Sequence, residues 1–209
     1  MQPGTPLQSR PRSRPDGCSH FHSCARYKAL VQTDQTLPAL WLLSDGRNDA
    51  SLEQALRGLP YGSALVFRHY HLAPDERYKR FRALRRLARA RGIYVILSGT
   101  ETQARCWGAD GIYGAARDMK KTSGEMLRIA TAHNMTEIAH ANRDRADAIM
   151  LSPAFPTRSH PGGATLGPVR FRLMAKHAVC PVIALGGMNA QTASRLNWPR
   201  WAAIDGLSA

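Results

Sequence analysis

The sequence predicts an α/β protein with the architecture of a compact (β/α)8 TIM barrel, and three observations support this. From Leu37 onward, short apolar runs alternate with longer segments of helical period, as expected for parallel strands joined by crossover helices. Eight runs qualify as strands, and the repeating unit of roughly 20 to 25 residues is short but sufficient for a barrel. The chain stops two residues after Leu207, so we expect the last helix of the barrel to be missing. An open, doubly wound sheet is the alternative architecture.

The predicted elements follow one another in a regular order. Each strand candidate is a short run dominated by apolar residues, and each helix candidate carries an apolar stripe at helical spacing. The strand candidates are residues 39–44, 63–69, 93–98, 111–113, 128–132, 148–153, 182–187 and 202–207. The helix candidates are residues 49–57, 75–91, 101–107, 135–142, 169–177 and 190–196.

Length and charge limit the classes of protein to which the chain can belong. A chain of 209 residues fits one domain. Its formal net charge of +14 raises the question of a nucleic-acid partner. In residues 77–91, however, apolar residues recur at helical spacing between the basic ones, so we expect these arginines to form the solvated face of an amphipathic helix. We therefore expect no nucleic-acid partner, with an anionic partner or a membrane surface as the alternative.

The first 35 residues differ in composition from the rest of the chain. They are rich in Pro, Ser, Gln and Arg and lack periodicity, so we expect a disordered basic tail or an over-extended start at 1–35 and the barrel at 36–209. Closely spaced ligand-type side chains occur in this tail at Cys18, His20, His22 and Cys24. Because no second ligand pair accompanies them, a structural zinc site is the less favoured interpretation.

The sequence shows neither a secretory signal nor an apolar run long enough to cross a membrane, so we expect a cytoplasmic protein. The four cysteines are scattered through a chain too large to need disulfides, which predicts reduced thiols. Cys106 and Cys180 are expected to be small core residues.

In a barrel of this kind, the chemistry lies at the C-terminal ends of the strands. Gly186 and Gly187 follow strand 7, and Gly206 follows strand 8, so backbone N–H groups can approach a phosphate closely there. The loop after strand 6 adds hydroxyl groups and a fixed cation at residues 157–159, which could bind the other end of an anionic substrate. Phosphate is therefore the ligand group that the sequence predicts.

Several motifs resemble those of the thiamine phosphate synthase/TenI family and occur in the same order. Residues 42–47, Leu-Leu-Ser-Asp-Gly-Arg, are similar to the family's first strand with its Thr-Asp-Arg ending. Residues 108–113, Gly-Ala-Asp-Gly-Ile-Tyr, resemble the Gly-Ala-Asp-Gly-Val-His turn into strand 4, and Thr-Ala-His at 131–133 resembles the Ser-x-His end of strand 5. Residues 155–159 resemble Phe-Pro-Thr-x-Ser/Thr, and 181–188 resemble Pro-Val-x-Ala-Ile-Gly-Gly-Ile. The similarity covers about residues 38 to 209.

This resemblance implies a synthase that expels pyrophosphate from a hydroxymethylpyrimidine diphosphate and joins the freed carbon to the ring nitrogen of a thiazole phosphate. By the same resemblance, His133, Arg68 and Arg158 are the expected catalytic residues, and Asp118 is the expected ligand of Mg²⁺. The residues expected to bind substrate or phosphate are His69, Ser98, Thr131, Thr157, Ser159, His160, Gly186, Gly187, Leu207 and Ser208.

Three departures from the family pattern affect the expected diphosphate site. The places of the strand 2 motif Gln-x-Arg-x-Lys are matched to Phe67, His69 and His71. Strand 3 ends in Ser-Gly at 98–99 where the family has Asn-Asp, so one carboxylate ligand of Mg²⁺ is missing. His160 replaces a lysine, so the charge at that point depends on pH. We therefore expect Mg²⁺ to be held weakly unless the substrate phosphates complete its coordination.

Two other functions are open at this point. A TenI-like thiazole tautomerase needs no metal, and in such an enzyme His133 would shuttle the proton, since an imidazole titrates near neutral pH. A phosphate-ligand sensor that has lost its chemistry is the other alternative, favoured by the missing metal ligand. In each case we expect small phosphorylated molecules as partners, and a homodimer is compatible with the sequence.

Overall fold

The protein is a closed, eight-stranded parallel barrel in the computed structural model, which describes residues 37–119, 126–159 and 162–207. The strands lie around the barrel in chain order, and β1 closes it by pairing with β8, with Leu40 opposite Trp201. The strands are β1 (Leu40–Leu43), β2 (Ala64–Phe67), β3 (Tyr94–Leu97), β4 (Gly111–Ala115), β5 (Leu127–Ala132), β6 (Ala148–Leu151), β7 (Val182–Ala184) and β8 (Trp201–Ala203). The predicted (β/α)8 barrel is thus confirmed, and the open sheet is excluded.

Six α-helices cover the outside of the barrel in the described residues. They are α1 (Leu52–Gly58), α2 (Pro74–Ala90), α3 (Glu101–Trp107), α4 (Met135–Arg143), α5 (Gly167–Ala175) and α6 (Ala190–Leu196). Short 3₁₀ turns precede α1 at Asp49–Ser51 and follow β4 at Ala116–Asp118. Each predicted helix is present within two residues of its predicted ends, except that the first begins as a 3₁₀ turn. Whether a helix follows β8 lies outside the described residues.

Several strands end earlier than predicted, because the chain leaves the ladder where the loops of the C-terminal face begin. The clearest case is β7, which was predicted to reach residue 187 but ends at Ala184. Gly186 and Gly187 adopt φ angles of +92° and +63°, which strand residues do not use and which glycine tolerates best. The two glycines therefore belong to a turn.

The core has two layers, because successive strand residues point to opposite faces of the barrel wall. Leu43, Val66 and Ile129 belong to the cluster that fills the barrel. Leu42 and Phe67 belong to the cluster between the strands and the helices. This alternation sets the direction of the side chains that follow each strand.

The basic residues of α2 are not all solvated, which corrects the prediction for residues 77–91. Arg77 donates to the carbonyl oxygens of Arg68 (2.9 Å) and Ser98 (2.6 Å). Arg85 donates to the carbonyl oxygen of Gly108 (2.7 Å), and Arg80 forms ion pairs with Asp49 and Glu53. These guanidinium groups reach across the helix layer to loop carbonyls and carboxylates, whereas Lys79, Arg82, Arg86 and Arg91 are exposed.

The two cysteines in the described residues differ from each other. Cys180 packs against the outer core cluster, and burial, assisted by the charge of Asp147, raises the pKa of its thiol to about 12. Cys106 is exposed, so the prediction that it is a core residue is wrong: it occupies the outer side of α3. The tail at 1–35, with Cys18 and Cys24, lies outside the described residues. In the part of the chain that the structure describes, no helix is both long and apolar enough to cross a membrane.

Candidate active site

The C-terminal end of the barrel opens into a cavity of about 560 Å³. Its wall is formed by residues that belong to or follow strands 2, 4, 5, 6, 7 and 8. Among the residues predicted from the sequence, those that line it are Arg68, His133, Thr157, Arg158, Ser159, Gly186 and Gly187. The predicted residues His160 and Ser208 lie outside the described residues.

Arg68 enters the cavity from the end of β2. Because Val66 points into the barrel and Phe67 points towards the helices, the next residue, Arg68, points inward. Its Nε donates to the carbonyl oxygen of Ser44 (3.0 Å), and its Nη2 donates to a carboxylate oxygen of Asp45 (2.5 Å). The match of Phe67 and His69 to the family's Gln and Arg is therefore out of register by one residue, and Arg68 is the inward-facing arginine.

Tyr113 of β4 lies beside Arg68 in the wall of the cavity. Burial raises the pKa of its phenol to about 12, although Arg68 acts in the opposite direction. The phenol is therefore neutral at physiological pH, and its ring adds an apolar surface to the cavity wall.

His69 does not reach the cavity. Its side chain lies in the outer layer, 1% exposed, with its ring stacked on Phe67 at 4.7 Å between centroids. The two ring nitrogens contact Ser44 Oγ (2.7 Å) and Asp49 Oδ1 (2.7 Å). Burial lowers the pKa of His69 despite the neighbouring Asp49 carboxylate. A ring that is buried and hydrogen-bonded at both nitrogens cannot contact pyrophosphate in this arrangement, contrary to the expectation from the sequence.

A set of charged groups lies at the rim, around the loop after β1. Arg47 donates to Asp45 Oδ1 (2.9 Å) and to Ser159 Oγ (2.8 Å), and it lies 4.0 Å from Asp205. Partial burial raises the pKa of Asp45, but hydrogen bonds from Arg47 and the charges of Arg47 and Arg68 together lower it to about 2. The Arg47 guanidinium thus connects the loops that follow β1, β6 and β8.

The loops after β6, β7 and β8 pack closely around their glycines. A Cβ on Gly187 would lie 2.3 Å from the carbonyl oxygen of Pro156, and one on Gly206 would lie 2.2 Å from that of Met188. Within the described residues, the backbone N–H groups of Gly186, Gly187 and Gly206 have no hydrogen-bond partner. Unpaired N–H groups at a cavity wall are suited to binding phosphate oxygens.

His133 follows β5 and lies on the wall of this cavity and of a neighbouring one of about 550 Å³. Its Nδ1 is 2.9 Å from Glu137 Oε2, and its backbone N–H donates to the same oxygen (2.6 Å). Partial burial raises the pKa of Glu137, but the two hydrogen bonds and the charge of His133 outweigh it and lower the pKa. The carboxylate therefore fixes the orientation of the ring and leaves Nε2 for a ligand.

Besides His69, three of the residues predicted to bind substrate lie away from the cavity. Thr131 lines the neighbouring cavity, and Leu207 packs against the outer core cluster. The Ser98 hydroxyl is hydrogen-bonded to the Tyr70 hydroxyl (2.5 Å) and donates to the carbonyl oxygen of Tyr113 (3.2 Å). Ser98 thus joins two strand ends and does not line the cavity wall.

Comparison with known proteins agrees with this architecture. The sequence profile described as "Thiamine monophosphate synthase" matches residues 41–205. The chain belongs to this family.

Relatives in the same family are similar along most of the barrel. A thiamine-phosphate synthase of Chloroflexus aurantiacus is 31% identical over 160 residues, which cover 73% of this chain and 73% of that protein. One of Pyrococcus furiosus is 24% identical over 160 residues, covering 74% and 77%. The solved thiamine phosphate pyrophosphorylase from Pyrococcus furiosus superimposes with a TM-score of 0.69 at 24% identity, covering 83% and 89%.

The fold also occurs in proteins of other chemistry. The YdjI aldolase from Escherichia coli K12 superimposes with a TM-score of 0.58 at 8% identity, covering 87% of this chain and 80% of that one. A likeness at this level concerns the barrel alone. The family is therefore decided by the sequence match.

The residues that the structure describes do not form a magnesium site of the kind that the family resemblance implies. The side chain of Asp118 is 70% exposed, lies 3.8 Å from Arg117 and lines neither cavity. No group of three or more His, Cys, Asp or Glu side chains with metal-binding geometry occurs in the described ranges. A single exposed carboxylate paired with an arginine is a poor site for Mg²⁺.

Several residues of the cavity wall are not among the predicted site residues, and Asp205 and Asn189 are two of them. Asp205 directly precedes Gly206 in the loop after β8, and Asn189 lies two residues after the glycine pair that follows β7. Their positions at strand ends were visible in the sequence. The Asn189 side chain accepts a hydrogen bond from the backbone N–H of Thr192 and so caps α6.

Proposed function

We propose that this chain is a thiamine-phosphate synthase, a transferase of thiamine biosynthesis that joins a hydroxymethylpyrimidine diphosphate to a thiazole phosphate and releases pyrophosphate. One observation carries the proposal. In a chain whose sequence matches the family over residues 41–205, a single cavity is lined both by the glycine loops and by Arg68 and Arg158. Such a cavity can hold two phosphorylated substrates side by side.

In this function, the two anionic groups bind in different parts of the cavity. The free N–H groups of Gly186, Gly187 and Gly206 bind the phosphate of the thiazole. Arg68 and Arg158, with the hydroxyls of Thr157 and Ser159, bind the diphosphate. This arrangement holds the thiazole nitrogen near the pyrimidine methylene carbon, and proximity of this kind can lower the barrier substantially.

The reaction forms one C–N bond and breaks one C–O bond. The ring nitrogen of the thiazole supplies the electron pair for the new bond to the methylene carbon, and pyrophosphate leaves with the electrons of the C–O bond. Negative charge therefore develops on the bridging oxygen of the diphosphate. The Arg68 guanidinium stabilises this charge without reorganisation, because Ser44 and Asp45 already orient it.

We propose that none of the described residues holds Mg²⁺ by itself. Asp118 and the strand 3 end do not provide a carboxylate pair, so any Mg²⁺ needed for turnover enters with the substrate diphosphate. We therefore assign no catalytic step to a protein-held ion.

The test is to incubate the purified protein with both substrates and to quantify thiamine phosphate and pyrophosphate. The expected result is that both products appear in equal amounts and that neither appears when one substrate is omitted. Binding of both substrates without product would instead identify a phosphate-ligand sensor.

A second candidate function is a thiazole tautomerase, favoured by the His133–Glu137 pair. Glu137 orients the imidazole through Nδ1, which is the arrangement that a proton-transfer histidine needs. A tautomerase would isomerise a thiazole carboxylate phosphate in the presence of a chelator, and His133→Ala would abolish this activity. If the chelator-treated wild-type protein leaves that substrate unchanged, this candidate is excluded.

Location and assembly are further parts of the proposal. The substrates are small phosphorylated molecules, which do not cross membranes unaided because burial of their charge is costly. We therefore infer a cytoplasmic enzyme, which cell fractionation can test. The homodimer stays a prediction, for which sedimentation velocity is the measurement.

A further inference from the structure

A continuous hydrogen-bonded chain runs behind the cavity, between the ends of β1 and β2 and the first helix. It starts at the backbone N–H of Arg68, which donates to Ser44 Oγ (2.8 Å). Ser44 Oγ contacts His69 Nδ1 (2.7 Å), and His69 Nε2 contacts Asp49 Oδ1 (2.7 Å). Arg80 then binds Asp49 (2.7 Å) and Glu53. Ser44 and His69 are 0% and 1% exposed.

The direction of each bond in this chain can be assigned. The Asp49 carboxylate only accepts, so Nε2 of His69 carries the proton that it receives. Burial lowers the pKa of His69 and so favours the neutral ring, in which Nδ1 is an acceptor once Nε2 carries the proton. The Ser44 hydroxyl therefore donates to Nδ1, which turns an oxygen lone pair towards the N–H of Arg68. Every polar group from Arg68 to Asp49 is satisfied in this one arrangement.

An enclosed polar chain of this kind is not needed for packing. Apolar side chains of similar volume often stabilise a core as well as or better than buried polar networks. His69 also adopts a φ of +38°, which is uncommon outside glycine. These hydrogen bonds instead fix the backbone from which Arg68 reaches into the cavity.

We propose that His69 is a positioning residue for Arg68: through the Ser44 hydroxyl, it holds the end of β2 so that the Arg68 guanidinium faces the diphosphate. This inference rests on the proposed synthase function for the identity of the substrate. His69 itself touches no ligand, since the outer layer encloses it.

Two amide substitutions separate the hydrogen bonds made by the two nitrogens of the imidazole. The oxygen of Asn lies near the position of Nδ1, so His69→Asn keeps the acceptor for Ser44 and loses Asp49. The amide of Gln lies near Nε2, so His69→Gln keeps Asp49 and loses Ser44. Ser44→Ala removes the hydrogen bond between Ser44 and Nδ1 by deleting the hydroxyl, and it leaves His69 itself unchanged.

The experiment measures KM for each substrate, kcat and thermal stability for these three variants. We expect His69→Gln and Ser44→Ala to raise KM for the pyrimidine diphosphate roughly 5- to 10-fold, the effect of one lost hydrogen bond. KM for the thiazole phosphate should not change, because its phosphate binds at the glycine loops. His69→Asn should keep both KM values close to those of the wild type.

Phe81→Leu is the matched control. Phe81 is fully buried in the same layer and packs edge-on against Phe67 (5.3 Å between centroids). It should lower thermal stability and leave both KM values unchanged. If this variant raises the same KM, or if both KM values rise together in the Gln and Ala variants, the role of His69 is structural only and the proposal is wrong.

Calorimetry with inorganic pyrophosphate tests the same order of the variants by their binding affinities, without turnover. The affinity should fall in His69→Gln and Ser44→Ala but not in His69→Asn. Failure of the wild type to form thiamine phosphate would remove the synthase proposal, whereas this ranking would still test the positioning of Arg68. Wild-type pyrophosphate affinity in Ser44→Ala would overturn the positioning proposal.

Discussion

Replacement of Arg68 by alanine should strongly reduce synthase activity and should also lower stability. In the wild type, Nε and Nη2 of this side chain are held by Ser44 and Asp45, which leaves Nη1 and the remaining Nη2 proton for a ligand. Loss of two charge-assisted hydrogen bonds to the diphosphate corresponds to about 3 kcal/mol, or roughly a 10²-fold fall in kcat/KM. The lost internal bonds lie in a side chain that is 18% exposed and contribute about 1 to 3 kcal/mol to the free energy of unfolding.

The assay is pyrophosphate release at varied concentrations of each substrate. Arg86→Ala is the control, since Arg86 is an exposed arginine of α2 that lines neither cavity, and its removal changes the net charge equally. Arg86→Ala should behave as the wild type. If Arg68→Ala retains wild-type kcat/KM, the assignment of the diphosphate to this side of the cavity is refuted.

Other predictions follow from single contacts. Gly187→Ala should weaken binding of thiazole phosphate in calorimetry and also lower thermal stability, because its Cβ would meet the carbonyl oxygen of Pro156; unchanged affinity would contradict the phosphate assignment. Deletion of residues 1–35 should leave melting temperature and activity intact, and a loss of several degrees would show that the tail docks on the barrel. Asp45 has its pKa lowered to about 2, so its contribution to stability is present above its unfolded pKa of about 3.9 and is lost as pH falls towards 2. Asp45→Asn should flatten that part of the stability profile in denaturant titrations, and an unchanged profile would contradict it. Asp118→Ala should leave magnesium binding to the substrate-free protein unchanged in calorimetry, and tight binding that the variant removes would restore Asp118 as a metal ligand.

The strands and helices could be predicted from the sequence because their apolar patterns are local. The run Ala-Leu-Val-Phe at 64–67 is buried on both faces, as strands of a parallel barrel are. The same pattern contains the information that the residue after it faces inward. The match to the family motif Gln-x-Arg-x-Lys placed the arginine of the motif at His69, one residue too late. The alternation of Val66 and Phe67 shows that Arg68 is the residue that faces inward.

Other features could not be predicted because they depend on contacts between distant residues. The alternation that turns Arg68 inward turns His69 outward, but nothing local in the sequence shows that the His69 ring is buried. His69 is enclosed by Ser44 and Asp49 across a separation of 20 to 25 residues. Likewise, Arg77 and Arg85 have the spacing of exposed helix residues, but loop carbonyls within their reach change their environment. The predictions for His160, Ser208 and the tail lie outside the described residues.

The most direct test of the proposed function is formation of thiamine phosphate by the purified wild-type protein from the two phosphorylated substrates in the presence of magnesium. The account predicts that thiamine phosphate and pyrophosphate accumulate in a one-to-one ratio and that Arg68→Ala suppresses both. If both substrates bind in calorimetry and neither product forms, the chain is not a synthase.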